Sequence, residues 1–246
     1  MSEWRKVLAE VDAGTERIVA TVAGLGEEEL RAPSALPGWT RGHVATHIAR
    51  NADSLWNLLE WARTGEEIPQ YPSLDARNAD LEAGAGRPAR VLADDVRATA
   101  ERFSAQAEAL PEEAWQAPVR AMPGWSHPAW FTVYRRWHEV EAHHVDLAAG
   151  YGPADWPVTY VEWALTCTLA DLEGLPEGLR GGLAGYKLVA TDTGDTADLG
   201  DAAEIAGGGR ALLAWLSGRS EGEGLITRPE GLLPAPPPWP HAPSGF

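Results

Sequence analysis

The most constraining feature of this sequence is a set of metal-type side chains carried by two distant, helix-patterned segments. Glu139 and His143 are four positions apart, so on an α-helix they share one face, one turn apart. His47 falls between Val44 and Ile48 in another segment with helical apolar spacing, and therefore also points toward the core. If the three side chains meet, the two helices must pack together. Two nitrogens and one carboxylate would hold a divalent metal such as zinc with a position open for catalysis.

Other combinations of side chains in the same two segments remain open. His43 could pair with His47, Glu141 could pair with His144, and His138 adjoins these sets. Periodicity favours His47 over His43, because His43 falls in the exposed first turn of its segment. A lone histidine on an apolar face is commonly a satisfied core residue. An unpaired Glu139 on an apolar face would be costly to bury, and either a metal or a buried ion pair would remove that cost.

The periodicity along the chain predicts an α+β protein with two domains. Residues 1–155 are predicted to form a metal-binding four-helix bundle, and residues 156–246 a smaller α+β domain. Helices are predicted at 3–23, 41–63, 75–83, 88–110, 128–149, 158–172 and 210–216, and strands at 186–191 and 203–206. Thr40 is predicted to cap the second helix, and Gly65 to end it.

Charge and hydropathy exclude several classes of partner. The formal net charge of −16 argues against nucleic acid and against an anionic membrane surface, since both attract positively charged proteins. No apolar run approaches the ~20 residues of a membrane span. The first residues, Met1-Ser-Glu-Trp-Arg-Lys-Val7, contain no hydrophobic signal core. We therefore expect a cytoplasmic protein, either a monomer or a small homo-oligomer, that acts on a small molecule.

The single cysteine, Cys167, rules out a disulfide framework. Its neighbours are apolar, and no cation lies within a helical turn to lower its pKa, so a structural thiol is favoured over a nucleophile. Any thiol chemistry would then require a thiol from outside the chain.

Several stretches of the sequence resemble the mycothiol-dependent maleylpyruvate isomerase family. They are Leu36-Pro-Gly-Trp-Thr-Arg-Gly-His-Val-Ala-Thr-His-Ile-Ala-Arg-Asn-Ala-Asp53, Asp75-Ala-Arg-Asn-Ala-Asp-Leu-Glu-Ala-Gly84, Glu139-Val-Glu-Ala-His-His-Val-Asp-Leu147 and Ala211-Leu-Leu-Ala-Trp-Leu-Ser-Gly-Arg219. The resemblance implies a DinB-like four-helix bundle with a divalent metal, usually zinc. It also implies a smaller C-terminal α/β domain similar to sterol-carrier-type folds. The family's metal ligands fall on His47, Glu139 and His143.

The resemblance further implies the reaction and its cosubstrate. Mycothiol would supply the missing sulfur, and zinc would lower its thiol pKa so that a thiolate exists at neutral pH. The thiolate adds to the alkene carbon conjugated to a carbonyl, the former double bond rotates, and elimination returns the trans isomer and the free thiol. Because maleylpyruvate and related substrates are dianionic, a cation is expected to bind them. Arg219 matches the arginine of the family's Trp-Leu-x-Gly-Arg segment, and Arg77 and Arg136 are further candidates.

One departure from the family pattern concerns the substrate. His138 stands where the isomerases usually have an arginine before the ligand glutamate, and the preceding residues 130–134 are more aromatic. The expected activity is therefore isomerisation of maleylpyruvate or a related unsaturated dicarboxylate. The alternatives are a mycothiol S-transferase acting on another electrophile, in detoxification or secondary metabolism, and a non-catalytic metal-binding protein.

Overall fold

The structure, a computed structural model, describes residues 3–237, and the chain divides into two compact units, Met1–Tyr151 and Gly152–Phe246. The helices of the first unit are α1 (Glu3–Gly24), α2 (Glu27–Arg31), α3 (Arg41–Thr64), α4 (Leu74–Ala85), α5 (Ala89–Ala109) and α6 (Phe131–Asp146). Its strands are β1 (Pro118–Arg120) and β2 (Ser126–Pro128). The second unit contains α7 (Val158–Gly174), α8 (Gly209–Leu216), β3 (Tyr186–Ala190), β4 (Thr196–Asp198), β5 (Ala203–Gly207) and β6 (Ile226–Arg228). The predicted α+β class is confirmed, and helix predominates.

The first unit is a four-helix bundle formed by α1, α3, α5 and α6. Helix α3 packs against α5 and α6, and α1 packs against the same two helices, so the four helices enclose one core. Ile18, Val44, Leu92 and Val140 meet in that core, one from each helix, and all are fully buried. Burying each such side chain contributes ~1.5–3 kcal/mol, which outweighs the weak intrinsic helix propensity of the β-branched residues.

Helix α3 carries His47, and both of its ends follow from local sequence. The backbone N–H of His43 donates to Thr40 Oγ1 at 3.3 Å, which caps the first turn as predicted. Gly65 ends the helix with a φ of 78°, a left-handed conformation that favours glycine. Among the described residues, no helix is both long enough and apolar enough to cross a membrane.

Helix α6 carries Glu139 and His143, and it is shorter than the predicted 128–149. Residues Ser126–Pro128 instead form β2, which pairs antiparallel with β1. The helix therefore begins at Phe131 and ends at Asp146. The prediction failed at the start because a proline in the first turn suits a helix and a strand end equally well.

Helix α4 lies unusually close to α3. A side chain at Gly42 would overlap the carbonyl oxygen of Ala85, and one at Gly84 would overlap the side chain of Thr46. The two glycines thus allow the helix backbones to approach each other, which brings α4 and its Arg77 against the helix that carries His47.

The second unit contains a sheet with strand order β4-β3-β5-β6. Strands β3 and β5 are parallel, while β4 and β6 pair antiparallel at the edges. Helix α8 packs on β3 and β5, and α7 packs on α8 and β4. The likeness of this unit to sterol-carrier-type folds stays a prediction.

Candidate metal centre

The side chains of His47, Glu139 and His143 converge at the interface of α3 and α6. His47 Nε2 lies 3.0 Å from Glu139 Oε2 and 3.1 Å from His143 Nε2, and His143 Nε2 lies 3.2 Å from the same Glu139 oxygen. Within residues 3–237, this is the group of three histidine, cysteine or carboxylate side chains whose donor atoms lie close enough to share a metal ion. The sequence-predicted trio is therefore brought together.

The spacing of the three donor atoms fits a divalent metal. Zinc bonds of ~2.0–2.2 Å place neighbouring ligand atoms about 3.3 Å apart in tetrahedral geometry and about 3 Å apart in octahedral geometry. The three observed separations, 3.0, 3.1 and 3.2 Å, lie at these values. Two imidazole nitrogens and a carboxylate are also a donor set typical of zinc sites, and three protein ligands leave a position for a further ligand.

Asp146 orients His143. Its Oδ2 lies 2.8 Å from His143 Nδ1, and the aspartate is buried in the last turn of α6. With a proton on Nδ1 donating to this carboxylate, the Nε2 lone pair of His143 faces the other two donors. A carboxylate behind a histidine in this way fixes the tautomer and raises the basicity of the ligand nitrogen.

His47 is held by packing instead. Trp39 contacts its ring edge-on with centroids 5.6 Å apart, and the ring of His143 lies edge-on at 4.6 Å. Its Nδ1 is buried and has no hydrogen-bond partner among the described residues. The two histidines are thus supported unequally, and His143 is the one with a carboxylate behind it.

Burial and mutual contact set the pKa values of the three groups. Burial alone would raise the pKa of Glu139, but hydrogen bonds from His143 and His47 hold it well below the usual range. Burial lowers the pKa of His47, whereas the hydrogen bonds of His143 to Asp146 and Glu139 raise its pKa despite burial. An ionised glutamate beside a neutral His47 is the state in which this group binds a cation.

The competing histidine sets lie elsewhere. The ring of His43 belongs to the N-terminal cap of α3: the N–H of Thr40 donates to His43 Nδ1 at 3.2 Å, and Nε2 lies 3.4 Å from the exposed Glu82. Glu141 is buried on another face of α6, where Arg17 Nη2 donates to its Oε1 at 2.6 Å. The structure therefore separates these residues from the cluster.

A second network around Glu141 occupies that other face of α6. The hydroxyl of Tyr151 donates to Glu141 Oε2 at 2.6 Å, and its ring stacks on His144 with centroids 3.8 Å apart. His144 Nε2 lies 2.8 Å from the hydroxyl of Thr21. These contacts join α6 to α1. They account for the burial of Glu141 and His144 without a metal.

The three predicted substrate-binding arginines occupy different places. Arg77 lies in the first turn of α4, with its guanidinium 5.8 Å from the ring centroid of Tyr71, and its positive charge is one of the factors that lower the pKa of His47. Arg136 is fully buried between α6 and α3. Arg219 follows α8 in the second unit, where its Nη1 donates to the carbonyl of Ser217 at 3.2 Å. Substrate binding by all three stays a prediction.

Sequence reasoning missed Asp146 and Tyr71 as members of the site. Asp146 is three positions after His143, a spacing that places both on neighbouring parts of a helix surface and that could have signalled the contact. Tyr71 lies in the loop before α4, close enough to Glu139 and Arg77 for their charges to act on its pKa, which burial raises. Its only sequence signal was an aromatic residue beside Pro72.

Fold and site together define a helical-bundle protein with an inward-facing group of two histidines and one glutamate suited to a divalent metal. Residues 11–148 match the mycothiol maleylpyruvate isomerase N-terminal domain. That match spans more than half of the chain, so the chain belongs to this family, and the prediction of an isomerase-like enzyme is confirmed at that level.

Solved structures extend the likeness to the whole chain. The crystal structure of the mycothiol-dependent maleylpyruvate isomerase is 27% identical, covers 97% of this chain and 98% of its own, and superposes with a TM-score of 0.84. The crystal structure of a histidine-to-alanine mutant of the mycothiol-dependent maleylpyruvate isomerase has the same identity and coverage, with a TM-score of 0.85. A comparison with curated proteins found no match.

Proposed function

We propose that this protein is a metal-dependent, mycothiol-using isomerase that converts maleylpyruvate or a related unsaturated dicarboxylate from cis to trans. The observation that carries the proposal is the set of three donor atoms 3.0–3.2 Å apart on facing helices. The similarity to solved mycothiol-dependent maleylpyruvate isomerases along 97% of the chain supports the cosubstrate and the reaction.

In this proposal His47, Glu139 and His143 hold the metal, most suitably zinc. A bound zinc ion supplies positive charge that lowers the pKa of a nearby thiol. The protein's own contribution is to keep the three donor atoms facing one point and to orient His143 through Asp146 at 2.8 Å. Trp39 packs against His47, and His47 is buried, so one side of the three-ligand group faces protein instead of water. The attraction between the ligands and a bound cation is stronger in such a setting.

Thiol titration during turnover tests the proposed function. The metal-loaded protein is mixed with mycothiol and maleylpyruvate, the trans product is followed by chromatography, and free thiol is measured at intervals. An isomerase forms product while the thiol concentration stays constant. Consumption of one thiol per product identifies a transferase. Absence of both changes excludes isomerisation of maleylpyruvate and leaves a transferase for another electrophile or a binding protein.

An S-transferase is the second candidate, and an aromatic cluster at the start of α6 favours it. The rings of Phe131 and Tyr134 stack with centroids 6.2 Å apart, and Trp130 lies edge-on to Tyr134 at 5.6 Å. Trp125 adds a further ring 6.4 Å from Phe131. Such a group of partly buried rings suits an electrophile with a larger apolar part than maleylpyruvate.

Arg219 is proposed to bind a carboxylate of the substrate, on the strength of its match to the family's arginine. The variant Arg219→Ala is expected to keep its metal and to lose at least about tenfold in kcat/KM, or ~1.4 kcal/mol of transition-state binding. Replacement by lysine should restore little, because the planar fork is lost. Steady-state kinetics and metal analysis provide the measurement, and unchanged kinetics would assign the role to another cation.

Cys167 is expected to be dispensable for catalysis. Burial raises the pKa of its thiol to about 11, and the charge of Asp171 adds to the shift, so the thiol stays protonated at neutral pH. Cys167→Ser should therefore keep most of the activity with added mycothiol and cost only modest stability. Activity assays and thermal melting test this prediction, and a folded but inactive serine variant would contradict an external thiol.

A further inference from the structure

Arg136 is a buried charge that uses only part of its hydrogen-bonding capacity. Its side chain is 0% exposed, and Nη1 donates to the carbonyl oxygen of Ile48 at 2.8 Å and to Asn51 Oδ1 at 2.9 Å. Both acceptors belong to α3, one residue and one turn beyond His47. This nitrogen therefore fixes the guanidinium between α6 and α3.

The other two nitrogens of the same guanidinium have no hydrogen-bond partner within residues 3–237. In the described part of the chain, both Nε and Nη2 of Arg136 are buried without a hydrogen bond, and so is the hydroxyl of Thr132 one turn earlier on α6. Leaving a buried donor unpaired costs ~1–3 kcal/mol, and more when the donor is charged. Nε and Nη2 form one edge of the guanidinium, and such an edge can donate two parallel hydrogen bonds to a carboxylate.

The unpaired donors lie on the same face of α6 as the candidate metal ligands. At about 100° per residue, Thr132, Arg136, Glu139 and His143 fall within about 60° of one another around the helix axis. Arg136 precedes Glu139 by three positions, so their side chains leave neighbouring turns. A ligand on the free edge of Arg136 would consequently lie beside the metal-binding group.

Electrostatics favour an anion at this edge. Burial lowers the pKa of Arg136 to about 10, with the charges of Glu139, Tyr71 and Asp53 opposing the shift, so the guanidinium is positive at neutral pH. Glu139 lies 3.0 and 3.2 Å from the Nε2 atoms of His47 and His143, so its carboxylate is already engaged by the two rings. A charge-assisted bond in a buried setting is stronger than one at the surface.

We propose that the Nε/Nη2 edge of Arg136, together with the hydroxyl of Thr132, binds one carboxylate of the unsaturated dicarboxylate substrate. This subsite rests on the proposed function and extends it, because it assigns one end of the substrate to a fixed position on α6. Nη1, bonded to Ile48 and Asn51, keeps the fork oriented before the substrate arrives.

Calorimetry without mycothiol tests the subsite, because no turnover is then possible. The probe is maleate, titrated into the zinc-loaded protein, with dimethyl maleate as the uncharged probe of similar shape. We expect maleate to bind the parent and dimethyl maleate not to bind. Arg136→Lys, which keeps a positive charge but loses the fork, should bind maleate at least tenfold more weakly with unchanged zinc content.

Arg135→Lys is the matched control, since Arg135 is the neighbouring, partly buried arginine and its terminal nitrogens have partners. Nη1 lies 3.1 Å from His127 Nε2, and Nη2 donates to Gln70 Oε1 at 3.1 Å. Its maleate affinity should stay within about twofold of the parent value. Equal weakening by both lysine variants would show a general disturbance of α6, not the loss of a specific fork, and would overturn the subsite.

Thr132→Val and a crystal structure decide the case in which Arg136→Lys does not fold. The valine keeps the volume of Thr132 and leaves the bonds of Arg136 to α3 intact, and it should weaken maleate binding severalfold. In crystals of the zinc-loaded parent with maleate, a carboxylate should contact Nε and Nη2 of Arg136. Maleate bound only elsewhere, or parent-like affinity in the folded lysine variant, overturns the proposal.

If maleate binds Arg136 while thiol-dependent turnover is absent, the proposed function fails and the subsite stands.

Discussion

Replacement of His143 by alanine should remove the bound metal and the activity together. His143 Nε2 faces Glu139 and His47 at 3.2 and 3.1 Å, so its loss leaves two donors where a stable site with an open position needs three. Zinc content after dialysis, measured by elemental analysis, should fall from about one equivalent to near zero. Turnover with mycothiol should fall to the background rate.

His43→Ala is the matched control for this loss. His43 lies on the same helix as His47, but its ring bonds the cap residue Thr40 and not the cluster. The variant should keep its zinc and lose only ~0.5–1.5 kcal/mol of stability, because the ring that accepts from the Thr40 N–H is removed while Thr40 still caps the helix. Thermal melting with added zinc also distinguishes the two variants. Zinc should raise the Tm of His43→Ala and leave that of His143→Ala unchanged. Full zinc occupancy in His143→Ala would refute this ligand set.

Replacement of Asp146 by asparagine should weaken metal binding by about 10–100-fold while the fold is kept. The carboxylate lies 2.8 Å from His143 Nδ1 and is buried, so it holds the ring with Nε2 toward the other donors. Asparagine has the same shape but no charge, and it can present either its oxygen or its NH2 group to the ring. The loss corresponds to ~1.4–2.7 kcal/mol of binding free energy.

Competition with a chelating zinc indicator measures this change, with circular dichroism to confirm the fold. Glu82→Gln is the control, since Glu82 also lies beside a histidine, His43, at 3.4 Å but outside the cluster. Its zinc affinity should equal that of the parent. Parent-like affinity in Asp146→Asn would mean that packing alone orients His143, as it does His47.

The sequence by itself determined the local parts of the site. A four-residue separation places Glu139 and His143 on one helix face in any α-helix, and apolar neighbours on that face direct both inward. The position of His47 between Val44 and Ile48 directs it in the same way. Thr40 and Gly65 also set the ends of α3, because capping depends on residues adjacent in the chain.

The short strands show where local reasoning fails. Pro128, the predicted first residue of α6, belongs to strand β2 because Ser126–Pro128 pairs with β1. Pairing energy does not appear in the pattern of either segment alone. Strands β4 and β6 were missed for the same reason, since each is three residues long and depends on β3 or β5 beside it.

Only the tertiary structure decided how the helix faces are paired. Arg136 was one cation among three candidates in the sequence, and its bonds to Ile48 and Asn51 could not be inferred, because those acceptors lie 88 and 85 positions away. The separation of Glu141 and His144 from the cluster likewise depends on contacts with α1, to Arg17 and Thr21. A helical period fixes which side chains share a face. The packing of distant helices fixes which donors, acceptors and charges meet there, because that packing is set by the summed burial of the whole core.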